Sequence, residues 1–143
     1  MKFVDTNVLV YLADRHDAGK REIAKGIIAD AMRNPEEYIL GAQALAEFSN
    51  VCLRKFKMDA DTVRDYLGFL SGLRIAPYTL KNVERALEVK TKYQLQFFDS
   101  LLLATAAANG CDTFLSEDLN SGQVYCGMIA VNPFDPDTKT PNE

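Results

Sequence analysis

The chain has 143 residues, 48% of them hydrophobic and 25% charged, with a net charge of −4. A domain of about 150 residues buries roughly two-thirds of the surface its unfolded chain exposes, so one self-sufficient core is expected, and the composition excludes a fibrous, disordered or disulfide-stapled chain. A negative overall field does not attract nucleic acid, which would have to be held by local basic patches and bound cations. Cys52, Cys111 and Cys126 form no CxxC pair and His16 is the only histidine, which leaves no basis for a zinc site. Apolar, reduced thiols point to the cytoplasm. The opening MKFVDTNVLVYLA is broken by Asp5 and too short for a signal peptide or a membrane span.

In chain order, Lys2-Phe3-Val4 reads as a strand ending at Asp5, followed by a short helix over Val8 to Ala13. Arg21 to Met32 has helical spacing, with Ile23, Ile27, Ile28 and Ala31 on one side. Asn34-Pro35 breaks the chain before a strand at Tyr38-Ile39-Leu40, and Ala42 to Phe56 is a helix. Asp61 to Leu70 is another, capped by Asp59 or Asp61, and Ile75-Ala76 is a brief strand stopped by Pro77. Thr79 caps a helix reaching about Lys92, and a further helix runs from Phe98 to Asn109 with Gly110 closing it. Thr113 to Ser116 and Met128 to Val131 are the last strands, and from Pro133 onward the polar, proline-bearing tail is expected to be disordered. This alternation predicts an α/β sandwich with a mostly parallel sheet.

In such folds, sites form where strands end and helices begin. Four acids meet that rule: Asp5 follows the first strand, Glu47 lies in the second turn of the helix after the second strand, Asp99 opens a helix, and Asp118 lies just past the strand Thr113 to Ser116. Each has an ordinary alternative. Asp5 can cap the next helix, Asp99 can complement its helix dipole, and Asp118 sits in the turn-rich SEDLNSG. Glu47, however, has Gln43, Ala44, Asn50 and Val51 as its helical neighbours, none cationic, and Asp99 opens FFDSLLLATAAAN, apolar all round and therefore expected to be buried. Acids gathered there would raise one another's pKa unless a divalent cation relieved them, and an all-oxygen set suits magnesium or manganese. With no His, Cys or Ser triad in reach, the nucleophile would be a metal-activated water.

At this point the sequence resembles PIN-domain ribonucleases, more narrowly the VapC-type toxins of toxin–antitoxin pairs. Asp5-Thr6-Asn7 after the opening strand is similar to the family's first motif, and Glu47 in AQALAEFSNV to the second. FFDSLLLATAAANGCDTFLSEDL, carrying Asp99 and Asp118, resembles the third and fourth acids, and VNPF the last strand. The resemblance spans residues 1–134 and leaves 135–143 as the disordered tail. It implies a PIN-like three-layer α/β/α sandwich with a mostly parallel central sheet of four to five strands. It also implies a Mg²⁺- or Mn²⁺-dependent endoribonuclease acting on structured RNA such as tRNA or rRNA. Asp5, Asp99 and Asp118 would be metal ligands, Glu47 a ligand or a base beside them, and Thr6, Asn7 and Ser116 would orient the cluster. Glu117 stands next to the fourth position, and which of Glu117 and Asp118 faces the metal is open, with Asp118 preferred. Family members dimerise and are inhibited by a small antitoxin.

Candidate RNA contacts are Arg54, Lys55 and Lys57 beyond Glu47, and Arg15, His16, Lys20 and Arg21 after the first helix. Arg54 falls on the Glu47 stripe about two turns on, roughly 10 Å away. Ordinary solvated charge is the competing reading for each cluster, and the aromatic residues do not alternate with them, which offers base stacking no support. Two other functions remain. One is an aspartyl-phosphate phosphatase built on Asp5, weakened because Asn7 stands where haloacid-dehalogenase-like enzymes carry a second Asp. The other is a non-catalytic PIN fold that only binds RNA or a partner.

Overall fold

A six-stranded sheet forms the centre of the computed structural model, which describes residues 1–136. Its strands are β1 (Lys2–Val4), β2 (Tyr38–Gly41), β3 (Ile75–Ala76), β4 (Thr113–Leu115), β5 (Val124–Tyr125) and β6 (Met128–Val131), in the order β3-β2-β1-β4-β6-β5. All pairings are parallel except β5 with β6. The helices are α1 (Thr6–Ala13), α2 (Ala18–Arg33), α3 (Ala42–Arg54), α4 (Ala60–Leu70), α5 (Leu80–Tyr93) and α6 (Phe97–Ala108), with a 3₁₀ turn at Pro35–Glu37.

The expected sheet of four to five strands is one strand short. The addition, β5, is two residues long and pairs through a two-residue turn in which Cys126 (φ 52°) and Gly127 (φ 80°) both take positive φ. Such a turn matches the right-handed twist of its strands, but a cysteine at its first position hides the usual Asn-Gly signature. The second helix also starts earlier than Arg21, because Asp17 caps it by accepting the Lys20 N–H at 3.0 Å, a cap masked by Gly19. Pro133 does not end the ordered chain: Phe134 is buried, its ring 4.8 Å from that of Tyr11. Of the expected disordered tail, residues 137–143 lie outside the described residues.

Topology explains the layers. The chain moves from β1 to β2 to β3 through α1–α2 and α3–α4, then reverses through α5–α6 to β4 on the far side of β1. Right-handed crossovers in opposite directions put the two helix groups on opposite faces. Consistently, α1 packs on α2 and α3, α3 packs on α4, and α5 packs on α6. The reversal makes the β1/β4 boundary the switch point, where the diverging crossovers leave a crevice beyond the strand ends.

β1 and β4 are covered on both faces, and Phe3 stacks on Phe114 across them at 5.2 Å between centroids. Gly41, between β2 and α3, is held to glycine by this pair: a Cβ there would lie 2.9 Å from Phe3 Cζ and 3.6 Å from Leu102 Cδ2. Both side chains are fully packed and have little room to yield. Among the described residues no helix is long and apolar enough to cross a membrane. Gly41→Ala should destabilise the protein by about 1–3 kcal/mol through overpacking. Urea unfolding checks this; an unchanged midpoint would show that Phe3 can move aside.

Candidate active site

Asp5 follows β1, and its Oδ1 accepts the Thr6 N–H at 2.7 Å, capping α1. Its Oδ2 faces β4, where Ser116 Oγ donates to it at 2.6 Å. Asn7 Nδ2 lies 3.3 Å from Asp5 Oδ2, 3.3 Å from Ser116 Oγ and 3.1 Å from Asp118 Oδ2. Ser116 Oγ also accepts the Asp118 N–H at 3.1 Å. Asn7 and Ser116 thus stitch the end of β1 to the end of β4 and set Asp118 beside Asp5.

Glu47 projects from α3, and its Oε2 accepts the Thr6 hydroxyl at 2.6 Å. Gln43, one turn earlier, donates to Glu47 Oε1 at 3.4 Å and to the Phe98 carbonyl at 2.9 Å, tying α3 to the first turn of α6 beside Asp99. The Asp99 carboxylate has no hydrogen-bond or ion-pair partner among the described residues. All four acids line one open cleft of about 530 Å³.

Glu117 lines the same cleft, but its carboxylate is held by Tyr11 Oη at 2.8 Å and Lys20 Nζ at 2.7 Å. The neighbouring acids therefore face different partners: Asp118 shares Asn7 with Asp5, and Glu117 carries an ion pair. This uses up the charge of Lys20, whose Nζ also lies 3.2 Å from Tyr11 Oη. By contrast, Arg54, Lys55 and Lys57 line a depression sharing Asn50 and Val51 with the acidic cleft, and Lys55 borders the cleft itself.

The sequence reading missed Asp14, Asn50 and Gln43. Asp14 is a buried acid at the C-cap of α1 that lines the cleft, and its carboxylate accepts the His16 N–H at 2.9 Å. An acid at a helix C-terminus opposes the dipole, and that is the signal by which it could have been found. Asn50 lies one turn beyond Glu47 on the same stripe. Gln43 gave no such signal, since its role depends on α6 lying alongside.

The electrostatics follow from burial and crowding. Asp5 is pushed up to about 7, first by desolvation, with hydrogen bonds from Ser116 and Thr6 opposing and the charges of Asp99 and Asp118 adding to the rise. Asp99 is also raised, by desolvation and then by Asp118 and Glu47. Among the described residues no three acids stand at direct-ligand geometry about one point. The donor set nevertheless fits a hard divalent ion that keeps several waters and takes one or two carboxylates directly. Asp99, without a donor of its own, and Asp5, costly to ionise, are the groups such an ion would relieve.

The sequence matches the family model of the PIN domain over residues 2–125. The chain belongs to the PIN domain family. This PIN domain shares its fold with VapC20 of Mycobacterium tuberculosis, described as a sarcin-ricin loop cleaving toxin, at 20% identity and a TM-score of 0.64, covering 82% of this chain and 92% of that one. It is similarly related to a toxin–antitoxin complex from Klebsiella pneumoniae (21% identity, TM-score 0.66, covering 93% and 98%). A third likeness is to VapBC2 from Rickettsia felis, bound to a DNA fragment from its promoter (18% identity, TM-score 0.65, covering 90% and 96%). No curated protein matches the chain.

A carboxylate with a raised folded pKa favours folding while protonated. The contribution of Asp5 in metal-free protein is therefore complete below its ordinary pKa of 3.8 and lost as pH rises through about 7. Asp5→Asn should gain stability relative to the parent across that window, by up to about 4 kcal/mol for a shift of roughly three units. Unfolding titrations at pH 4 to 8 in EDTA measure it; a pH-independent difference would refute it.

Proposed function

We propose that this PIN domain is an endoribonuclease that uses Mg²⁺ or Mn²⁺ to hydrolyse RNA phosphodiesters. The observation that carries the reading is the cleft itself: four acids from four separate segments converge at the switch point of the sheet. Asp5, Asp99 and Asp118 would hold the ion, one or two of them directly and the rest through its waters, with Glu47 as a further ligand or a base beside it. When bound, a divalent ion supplies Lewis acidity and neutralises charge on the reacting phosphate.

The side chains supply the rest. Ser116 and Asn7 fix the Asp5 carboxylate toward the cleft, and Thr6 and Gln43 hold both oxygens of Glu47. So held, Glu47 can accept a proton from an attacking water. Lys55, at the rim, offers a cation to an incoming phosphate. The arrangement does not favour a phosphatase with a covalent Asp5 intermediate, because Asp5 is buried and both its oxygens accept hydrogen bonds.

By analogy with the toxin–antitoxin structures that share the fold, we further propose a toxin that cleaves tRNA or rRNA, forms a homodimer and is held by a small antitoxin in the cytoplasm. Inducing the chain with and without its neighbouring gene, then mapping new RNA 5′ ends, tests this; unaffected growth with no new ends would refute it.

Asp5→Asn or Asp99→Asn should lower Mg²⁺-dependent RNA cleavage at least 10²-fold while the fold survives, on the scale expected for loss of an electrostatic catalytic group. EDTA should abolish cleavage by the parent. Parent-like rates in both variants, measured on purified labelled RNA, would remove the assigned centre.

Asp118→Asn should impair cleavage strongly, and Glu117→Gln should change it less than about tenfold, because Glu117 is occupied by Lys20 and Tyr11. The reverse ranking in the same assay would make Glu117 the fourth acid.

A further inference from the structure

Beside the cleft lies a second depression, about 550 Å³, with a different chemistry. The turn after α1 contributes Arg15 and His16 to its wall, the turn after α3 contributes Lys55, Phe56 and Lys57, and α4 contributes Tyr66. Its volume is in the range of small-molecule sites, about 300–1,000 Å³. Arg15, His16, Lys55 and Lys57 are exposed, and none makes an ion pair among the described residues. Two aromatic rings complete it: Phe56, over which Lys55 Nζ lies at 5.8 Å, and Tyr66, held edge-on against Phe48 at 5.8 Å. Asp59, the one acid in the lining, caps α4 by accepting the Thr62 N–H at 2.8 Å. Lys57 takes φ 55°, a left-handed conformation uncommon outside glycine, asparagine and aspartate, so this wall keeps a cation where glycine would fit more easily.

We propose that this depression is a nucleotide subsite, taking an unstacked nucleotide next to the scissile phosphate of a single-stranded RNA segment. The proposal rests on the nuclease reading. Aromatic faces with unpaired cations are the combination by which proteins hold unstacked nucleotides: the base stacks and the phosphate meets the cations. Phe56 and Tyr66 receive the base; Arg15, His16 and Lys57 receive the phosphate. Lys55 lines both depression and cleft, so the two hollows are neighbours across this side chain. An acidic peptide would suit the rim, but in continuing past Lys55 it would meet Asp5, Asp99 and Asp118.

The test titrates AMP, CMP, GMP and UMP, inorganic phosphate and a hexaglutamate peptide separately into the full ¹⁵N-labelled chain with Mg²⁺, following amides of residues 56–62 and 66. At least one nucleotide should bind saturably, with phosphate and peptide at least fivefold weaker. Arg15→Gln and Lys57→Gly should weaken that nucleotide roughly tenfold and raise KM for RNA cleavage by a similar factor, with kcat within about twofold. Lys57→Gly should not lower Tm, since glycine accepts the turn's conformation, so weaker binding cannot be ascribed to misfolding. Phosphate binding as well as any nucleotide would reduce the site to a generic anion patch and overturn the proposal. The peptide binding in preference would reassign the surface to a protein partner. RNA cleavage by the parent, with nucleotide binding and KM unchanged in both variants, would remove the subsite and leave the nuclease reading intact. Nucleotide binding by a parent that cleaves no RNA would remove the nuclease reading, and the placement beside a scissile phosphate with it.

Discussion

Crowded negative charge at the switch point is the constraint around which the rest of the molecule is arranged. β1 and β4 lie side by side in the sheet interior, so the residue after β1 emerges at a buried position, and that residue is Asp5. A carboxylate so placed is desolvated, and its neighbours Asp99 and Asp118 add repulsion. The protein answers with short polar side chains in fixed positions. Ser116 and Asn7 serve Asp5 and Asp118, and Thr6 and Gln43 serve Glu47. Asp99 receives no such help among the described residues. An acidic cluster left partly uncompensated stores a cost that a bound cation can offset, and this is how a fold sacrifices stability for function.

Positive charge is distributed with equal selectivity. Lys20 neutralises Glu117 and ties α2 to the loop carrying Asp118. Arg54, Lys55 and Lys57 leave the C-terminal end of α3, where cations suit the helix dipole, and stay out of ion pairs among the described residues. α3 is thus polarised, with Glu47 in its second turn near the acidic centre and cations at its far end. A net charge of −4 is therefore no obstacle to binding a polyanion, because the local sign reverses within one helix length.

The fold class, the parallel sheet and most element positions were legible in the sequence because they follow from local periodicity and capping. β1, β2, β4 and β6 appear as apolar runs, and Asp59 and Thr79 announce their helices. The four acids were legible for a topological reason: each sits where a strand ends or a helix begins, and in a parallel α/β fold all such places share one edge. β5 was not, because a two-residue strand has no period, and the Asp17 cap was hidden by the glycine two residues beyond it.

What tertiary structure alone decided is which residues meet. Ser116 and Asn7 are separated by most of the chain, and only the adjacency of β1 and β4 lets them join Asp5 to Asp118. Glu117 and Asp118 are consecutive acids between which the sequence offered only a preference for Asp118; Lys20 and Tyr11 reaching the carboxylate of one and Asn7 that of the other give them different partners. Arg15, Lys57 and Tyr66 come from three segments with no common spacing, and packing of α1, α3 and α4 brings them to one depression. Sequence pattern reports which face of an element is buried and where it ends, since those depend on neighbours a few residues away. Partnerships across the fold depend on strand order and crossover direction, which carry no local mark.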